Sequence, residues 1–353
     1  MLSKSKLLPI NELKAGMISA SDIKFGNSLL LAKGVPISES SINILSENYI
    51  VDKVEIYEED DDYNKQLQTK VKTVEELERN FNELSSNLED IFNNIYSLQV
   101  NGIEDLRVFS KKIQEEFKST GLVIRDIVSH GSNDKNIYRH SVNVAAISFI
   151  LAKWLGFNEK EVNLLTYAAL LHDFGKTQID PKIINKEGIL TRDEVEIIKT
   201  HPVIAYHFVK KIPFIDSSVG IGVLMHHERM DGTGYPMHIK EDKIHKFAKV
   251  IAIADLFDNV SSNRYFKEVS GPFDALKVIQ EESLGKLDNM YCNMFLNHIV
   301  NYYMGENVIL NDERSCKIIQ IDLNDITKPL LLDDNGFLDL RKEKDLYVTK
   351  LVV

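Results

Sequence analysis

Seven residues in the middle of the chain have the side chains and neighbours of metal ligands. They are His140 in YRHSVNVA, His172 and Asp173 in ALLHDFGK, His201 in KTHP, His226 and His227 in MHHERMDGTGYP, and Asp255 in AIADLFD. Imidazole is the usual nitrogen ligand for borderline divalent ions, and a mixed imidazole and carboxylate set suits Fe, Mn or Zn better than Mg or Ca. Two ions held close together need a bridging carboxylate, and Asp173, beside a histidine at a helix end, is placed to serve. Such a pair lowers the pKa of a bridging water and clamps the oxygens of an in-line displacement at phosphorus. Asp255 falls inside the apolar run Ile251–Leu256. A carboxylate buried there is costly unless it is paired, exposed or metal-bound. All ten histidines lie between His130 and His298, which confines this chemistry to one region. His207, His238, His245 and His298 belong to no motif and read as surface or structural residues.

Spacing removes the obvious rivals. His227-Glu228 begins like HExxH, but the fifth position is Asp231. Gly175-Lys176-Thr177 ends like a phosphate-binding loop, but the earlier glycine position holds Leu170. No GxSxG elbow is present, and neither Cys292 nor Cys316 has a catalytic setting.

The elements that must position these residues are helical. From Leu122 to Tyr303 apolar residues recur at helical spacing: Val142, Ala145, Ala146, Phe149 and Ile150 on one face, Val162, Leu165, Ala168, Ala169 and Leu171 on another, and Val250, Ile253, Ala254 and Phe257 on a third. The expected fold class is mainly α, a helical bundle over 121–303. Residues 1–60 read as a small α+β unit, with short apolar runs at Leu29–Leu31 and Val54–Ile56. The acidic run Glu58–Asp62 reads as solvated linker. Over 61–120 the pattern is helical, and Val74, Leu77, Phe81, Leu84, Leu88, Ile91, Ile95 and Leu98 form a continuous heptad seam. Two readings of that seam stand side by side: a stalk joining two copies into a homodimer, or an amphipathic helix docked on the catalytic domain. After Gly305 the runs Val308–Leu310, Lys317–Ile321, Leu330–Leu332, Phe337–Leu340 and Leu346–Val353 predict a small β extension over 304–353.

Composition narrows the function classes. With 353 residues, 44% of them hydrophobic and 27% charged, the chain supports packed cores, and wholesale disorder is excluded. The net charge of −11 argues against a nucleic-acid polymer as partner. Two isolated cysteines make no disulfide framework, and no apolar run reaches membrane-spanning length. The expectation is a cytoplasmic protein without a membrane partner.

At this point the segment from about His140 to Lys267 resembles the HD-GYP domain, a branch of the HD phosphohydrolases that hydrolyses cyclic di-GMP. The words that carry the likeness are AALLHDFGKTQID, INKEGILTRDEVEIIKTHP, HHERMDGTGYP and IAIADLFDNVSSNRYFKE, in the family's order. Residues 1–60 resemble, more loosely, a small domain that often precedes HD-GYP domains. The resemblance implies two divalent ions, Fe or Mn. One would be held by His140, His172, Asp173 and Asp255. The other would be held by His201, His226 and His227, with Asp173 bridging. It implies Asp173 and Lys176 as catalytic residues, with Lys176 on the scissile phosphate. Arg264 and Lys267 would be substrate-binding, against the alternative of an ordinary solvated helix end. The loop residues Glu228, Arg229, Asp231, Gly232, Gly234, Tyr235 and Pro236 would be structural, and the loop would offer a surface to a signalling-protein partner. The product would be linear pGpG, or GMP after a second cut. The rival functions are an HD phosphohydrolase acting on another nucleotide and a catalytically weak cyclic di-GMP-binding scaffold. Two departures stand out. Asn136 occupies the position where some members carry a glutamate and a third metal, so two metals are expected. Met237-His238-Ile239-Lys240 replaces the family's glycine-rich continuation.

Overall fold

A computed structural model describes residues 5–14, 17, 19–21, 23–25, 28–31, 37, 42, 45, 53–57, 74–97, 102–117, 120–130, 137–186, 188–262 and 272–352. The acidic run at 58–62, Leu98, Asn136, Arg264 and Lys267 lie outside the described residues. The chain divides into two compact units, one of residues 1–73, 270–273 and 296–353, the other of residues 74–269 and 274–295.

In the first unit two antiparallel pairs, β1 (Ser5–Pro9) with β4 (Lys53–Tyr57) and β2 (Ile23–Phe25) with β3 (Ser28–Leu31), accompany a cluster of Leu13, Ile23, Ile37, Leu45, Val54 and Ile56. The C-terminal part is a five-stranded antiparallel sheet in the order β8-β7-β6-β5-β9, formed by β5 (Asn307–Leu310), β6 (Ser315–Asp322), β7 (Asp325–Asp333), β8 (Gly336–Asp339) and β9 (Val348–Val352). Cys316, Ile318 and Ile321 of β6 turn inward, with half-buried residues between them, and the step of three from Ile318 to Ile321 falls at a register shift against β7.

The second unit is helical and holds the histidines in question. Helix α1 (Val74–Tyr96) carries the heptad seam. Phe81, Leu84 and Leu88 are fully buried, and Ile91, Phe92 and Ile95 nearly so. They are covered within this chain by α2 (Gly102–Glu116), α3 (Thr120–His130) and α4 (Ile137–Trp154). Over 81–95 the seam has the arrangement of the docked helix, its side chains buried within this chain. The physical reason is Phe92. It lies beside Ile91, off the strict seam, and packs edge-on against Tyr138 and Phe174, widening a stripe into a core-facing face.

Helix α4 is central. Residues 139–152 are all buried, because α1, α2, α3, α5 (Glu159–Leu171) and α10 (Lys246–Ser261) surround it. The single apolar face expected of this helix is thus a helix buried all round, and its polar residues must find partners inside. Between α5 and α10 lie a 3-10 turn (Phe174–Gln178), α6 (Pro181–Ile184), α7 (Arg192–Ile198), α8 (His201–Val209) and α9 (Ser217–Met225); α11 (Asp274–Glu282) and α12 (Asn289–Ile299) follow. Capping boxes at Asn158/Glu161 and Thr191/Glu194 fix where α5 and α7 begin.

Candidate metal centre

His172 and His226 follow directly on the last turns of α5 and α9, while His201 is the first residue of α8, two residues past the end of α7. The carbonyls of a last turn have no partner within the helix. Each ring supplies one. Nδ1–H of His172 donates to the carbonyl of Ala169 at 2.7 Å, that of His201 to Ile198 at 2.7 Å, and that of His226 to Val223 at 2.6 Å. A carbonyl only accepts, so Nδ1 carries the proton in all three rings and Nε2 is a bare lone pair. His140, inside α4, reaches the same state by another route: its Nδ1 lies 2.6 Å from Oδ2 of Asp258 on α10.

The lone pairs converge. Oδ1 of Asp173 is 3.2 Å from His201 Nε2, while Oδ2 is 3.4 Å from His140 Nε2 and 3.7 Å from His172 Nε2. Oδ1 of Asp255 is 3.1 Å from His140 Nε2 and 3.9 Å from His172 Nε2, and the Nε2 atoms of His201 and His226 face each other at 3.3 Å. The donor atoms form two groups, each within 4.8 Å: Asp173, His201, His226 and His227 in one, His140, His172 and Asp255 in the other. Nε2 of His140, His172, His201 and His226 and the carboxylate oxygens of Asp173 and Asp255 are all acceptors, and His172 Nε2 and Asp173 Oδ1 are buried without a hydrogen bond.

Such a set is held together by protons or by cations. Burial opposes protons: it pushes His172 down to about 4, and with neighbouring imidazoles it pushes His226 and His227 well below the usual histidine range. Burial also opposes the charge on Asp173, but the Lys176 ammonium at 2.7 Å overcomes it and holds the carboxyl well below its ordinary range. Asp255 is likewise held low against its burial. Cations are the remaining answer. Donors about 2.1 Å from an ion at right or tetrahedral angles lie about 3.0 to 3.4 Å apart, which is close to the spacings here. The residues fit divalent transition ions.

Residues 123–290 match the HD domain family, a span that includes all seven candidate ligands. That span of the chain is similar to an HD domain. Among similar proteins, a cyclic di-GMP phosphodiesterase of Thermotoga maritima is 36% identical over 175 residues, which are 49% of this chain and 47% of that protein. A 3'3'-cGAMP-specific phosphodiesterase of Vibrio cholerae is 32% identical over 163 residues, 46% of this chain and 35% of that protein. The chain thus spans about half or less of the length of the curated relatives it matches. The solved structure of Bd1817, an HDG"Y"P protein from Bdellovibrio bacteriovorus, matches the fold with a TM-score of 0.55 at 20% identity, covering 84% of this chain and 99% of that one.

Around this cluster the loop after His227 is tightly tied. Glu228, almost wholly buried, accepts the backbone N–H groups of Met237 at 2.6 Å and Ile239 at 3.1 Å. Arg229 donates to the carbonyls of His226 and Glu228, and Asp231 accepts from the amide and hydroxyl of Thr233. Gly232 has φ of +83°, and a Cβ on Gly234 would sit 2.4 Å from the His227 carbonyl oxygen, so both positions exclude a side chain. The Tyr235 ring stacks on His227 at 4.6 Å and sets its plane; Pro236 follows through a cis peptide bond. Three residues of the site escaped sequence reasoning. Asp258 and Asn143 stand behind His140, and Asp258 lies three residues after Asp255 in an apolar helix, a spacing that puts both on one side. Gly175 is the third: a Cβ there would lie 2.0 Å from the carbonyl oxygen of His201.

Proposed function

We propose that this HD-like domain is a metal-dependent phosphodiesterase that opens cyclic di-GMP to linear pGpG. The observation that carries the reading is the buried, acceptor-rich cluster in which the two oxygens of Asp173 face different groups of histidines, with Lys176 alongside. Two ions, one per group, with Fe or Mn as the metals, are the loading this donor set supports. Bound divalent ions supply an activated water and neutralise charge on a phosphoryl oxygen. The chain's own part is to hold them: His140, His172 and Asp255 on one side, His201, His226 and His227 on the other, and Asp173 across both. Lys176, 13% exposed at its side chain, is the one cation among these residues able to meet a phosphoryl oxygen. Cyclic di-GMP is preferred as substrate because the Thermotoga maritima relative is named for it. A 3'3'-linked mixed dinucleotide is the second reading, on the strength of the Vibrio cholerae relative. A cytoplasmic setting and a signalling partner at the 226–236 loop belong to the same proposal. Free, buried Cys292 and Cys316 support the former. No helix among the described residues is long and apolar enough to cross a membrane.

The test is anaerobic purification, loading with Fe(II) or Mn(II), and chromatography of products from cyclic di-GMP and 3'3'-cGAMP. The expected result is pGpG, with Asp173→Ala inactive and Lys176→Met slower by about 10²- to 10³-fold at unchanged metal content. Faster turnover of 3'3'-cGAMP selects the second reading, and a metal-loaded protein that cleaves neither dinucleotide overturns both.

A further inference from the structure

A single hydrogen-bonded chain runs from helix α1 to one side of the metal cluster. Arg139, on α4, is 5% exposed at its side chain and is gripped by Glu78 of α1 at 2.9 Å and by buried Asp126 of α3 at 2.7 Å. Its Nη1 also reaches Asn82 of α1 at 3.3 Å, and its guanidinium lies 4.3 Å over the ring of Phe81. Its Nε donates to Oδ1 of Asn143 at 3.0 Å. Asn143 Nδ2 donates to Oδ1 of Asp258 at 2.7 Å, and Oδ2 of Asp258 meets His140 Nδ1 at 2.6 Å.

The direction of this chain is fixed by its ends. A guanidinium only donates, so Asn143 must turn its oxygen to Arg139 and its amide hydrogens to Asp258. The carboxylate then accepts on both oxygens, His140 carries its proton on Nδ1, and Nε2 is left as a lone pair pointed at Asp173 and Asp255. In the other group His201 and His226 rest on backbone carbonyls and His227 stacks on Tyr235. We infer that Arg139, Asn143 and Asp258 are positioning residues for the His140 side of the cluster, and that through Glu78 they tie that side, and not the His201 side, to helix α1. Helix α1 is where the chain enters this unit after residues 1–73, so a displacement of α1 is felt first at His140.

The inference rests on the metal reading of the cluster but not on any nucleotide. It is tested by titrating the metal-free full-length chain with Co(II), whose visible absorption reports both affinity and ligand geometry. The wild type is expected to bind in two steps. Asp258→Asn sets an amide donor against Asn143 or leaves His140 without its acceptor, and weakens one step by about 10- to 100-fold. The double variant Asn143→Asp, Asp258→Asn restores every donor–acceptor match, since the new carboxylate accepts from both Arg139 and the new amide. Most of the lost affinity and the wild-type absorption return. Glu78→Gln, on a partly exposed side chain remote from the cluster, weakens the same step and leaves the other within twofold. A wild type that binds no cation overturns the metal reading itself. A wild type that binds two ions while Asp258→Asn binds them equally well, or a double variant no better than the single one, overturns this inference alone.

Discussion

Substituting Gly175 by alanine tests how rigidly the cluster is held, and the structure sets the size of the effect. The glycine lies in the 3-10 turn that follows Asp173, pressed against the first turn of α8. An added Cβ would be 2.0 Å from the oxygen and 2.8 Å from the carbon of the His201 carbonyl, and 2.9 Å from the nitrogen of Ala205. Carbon and oxygen do not approach closer than about 3.3 Å without repulsion, so the turn and α8 must part by about 1 Å. All three contacts are backbone, and no rotamer change relieves them. His201 begins α8 and moves with it, while ligand distances tolerate only about 0.2 Å. The expected outcome for Gly175→Ala is a loss of about 1 to 3 kcal/mol in stability and of about 10²-fold in turnover. In a Co(II) titration the step that involves His201 weakens and the His140 step persists. Gly222→Ala is the comparison. Its Cβ would meet the Cβ atoms of Phe247 and Ala168 at 3.1 and 3.2 Å, a conflict of tenths of an ångström against more than an ångström at Gly175. Wild-type metal binding and turnover in Gly175→Ala would show that the contact between the turn and α8 does not position His201.

Two further outcomes follow from burial. Leu88→Ala in α1 opens a fully enclosed site and is expected to cost about 2 to 5 kcal/mol in denaturant unfolding, with no change of oligomeric state in sedimentation; a dimer that dissociates while the subunit stays folded would return the seam to the stalk reading. The metal-free chain is expected to lose stability as pH falls from 7 to 5. His172 titrates near 4 when folded and near the ordinary histidine value when unfolded, so only the unfolded chain gains the proton in that window. From His172 alone the loss at pH 5 is about 2 kcal/mol, and equal unfolding free energies at pH 7 and pH 5 after chelation would refute it.

The candidate ligands were legible because each sits in its own word, and the folded chain brings the side chains of those words together. The β extension was legible for a similar reason: short β-prone runs between Asn, Asp and Gly turns are a local property, and four of the five strands lie within two residues of the runs, while β7 begins five residues before Leu330. The fate of the heptad seam was not legible from spacing, since a stalk and a docked helix share it; the residue that separates them, Phe92, lies off the seam. Asp258 carried a readable signal, a second carboxylate one helical turn from the first. Gly175 carried none, because its requirement is the closeness of a helix that begins 26 positions later.

The helix ends explain why histidines, and not more carboxylates, make up most of the cluster. Three last turns point at it, each with partial negative charge from its carbonyls. A carboxylate placed there would be repelled by the helix end and would have no proton to give it. A neutral imidazole gives the helix end a proton through Nδ1 and offers the interior a lone pair through Nε2. The same helix ends that favour a bound cation disfavour a bare phosphate, and the Lys176 ammonium is paired with Asp173. On the proposed function, a phosphodiester would meet an attractive surface only with cations in place, when their charge would exceed that of Asp173 and Asp255. The residues that would hold those cations would then serve substrate binding as well as water activation, since the proton on Nδ1 of His140, His172, His201 and His226 leaves each Nε2 free for an ion.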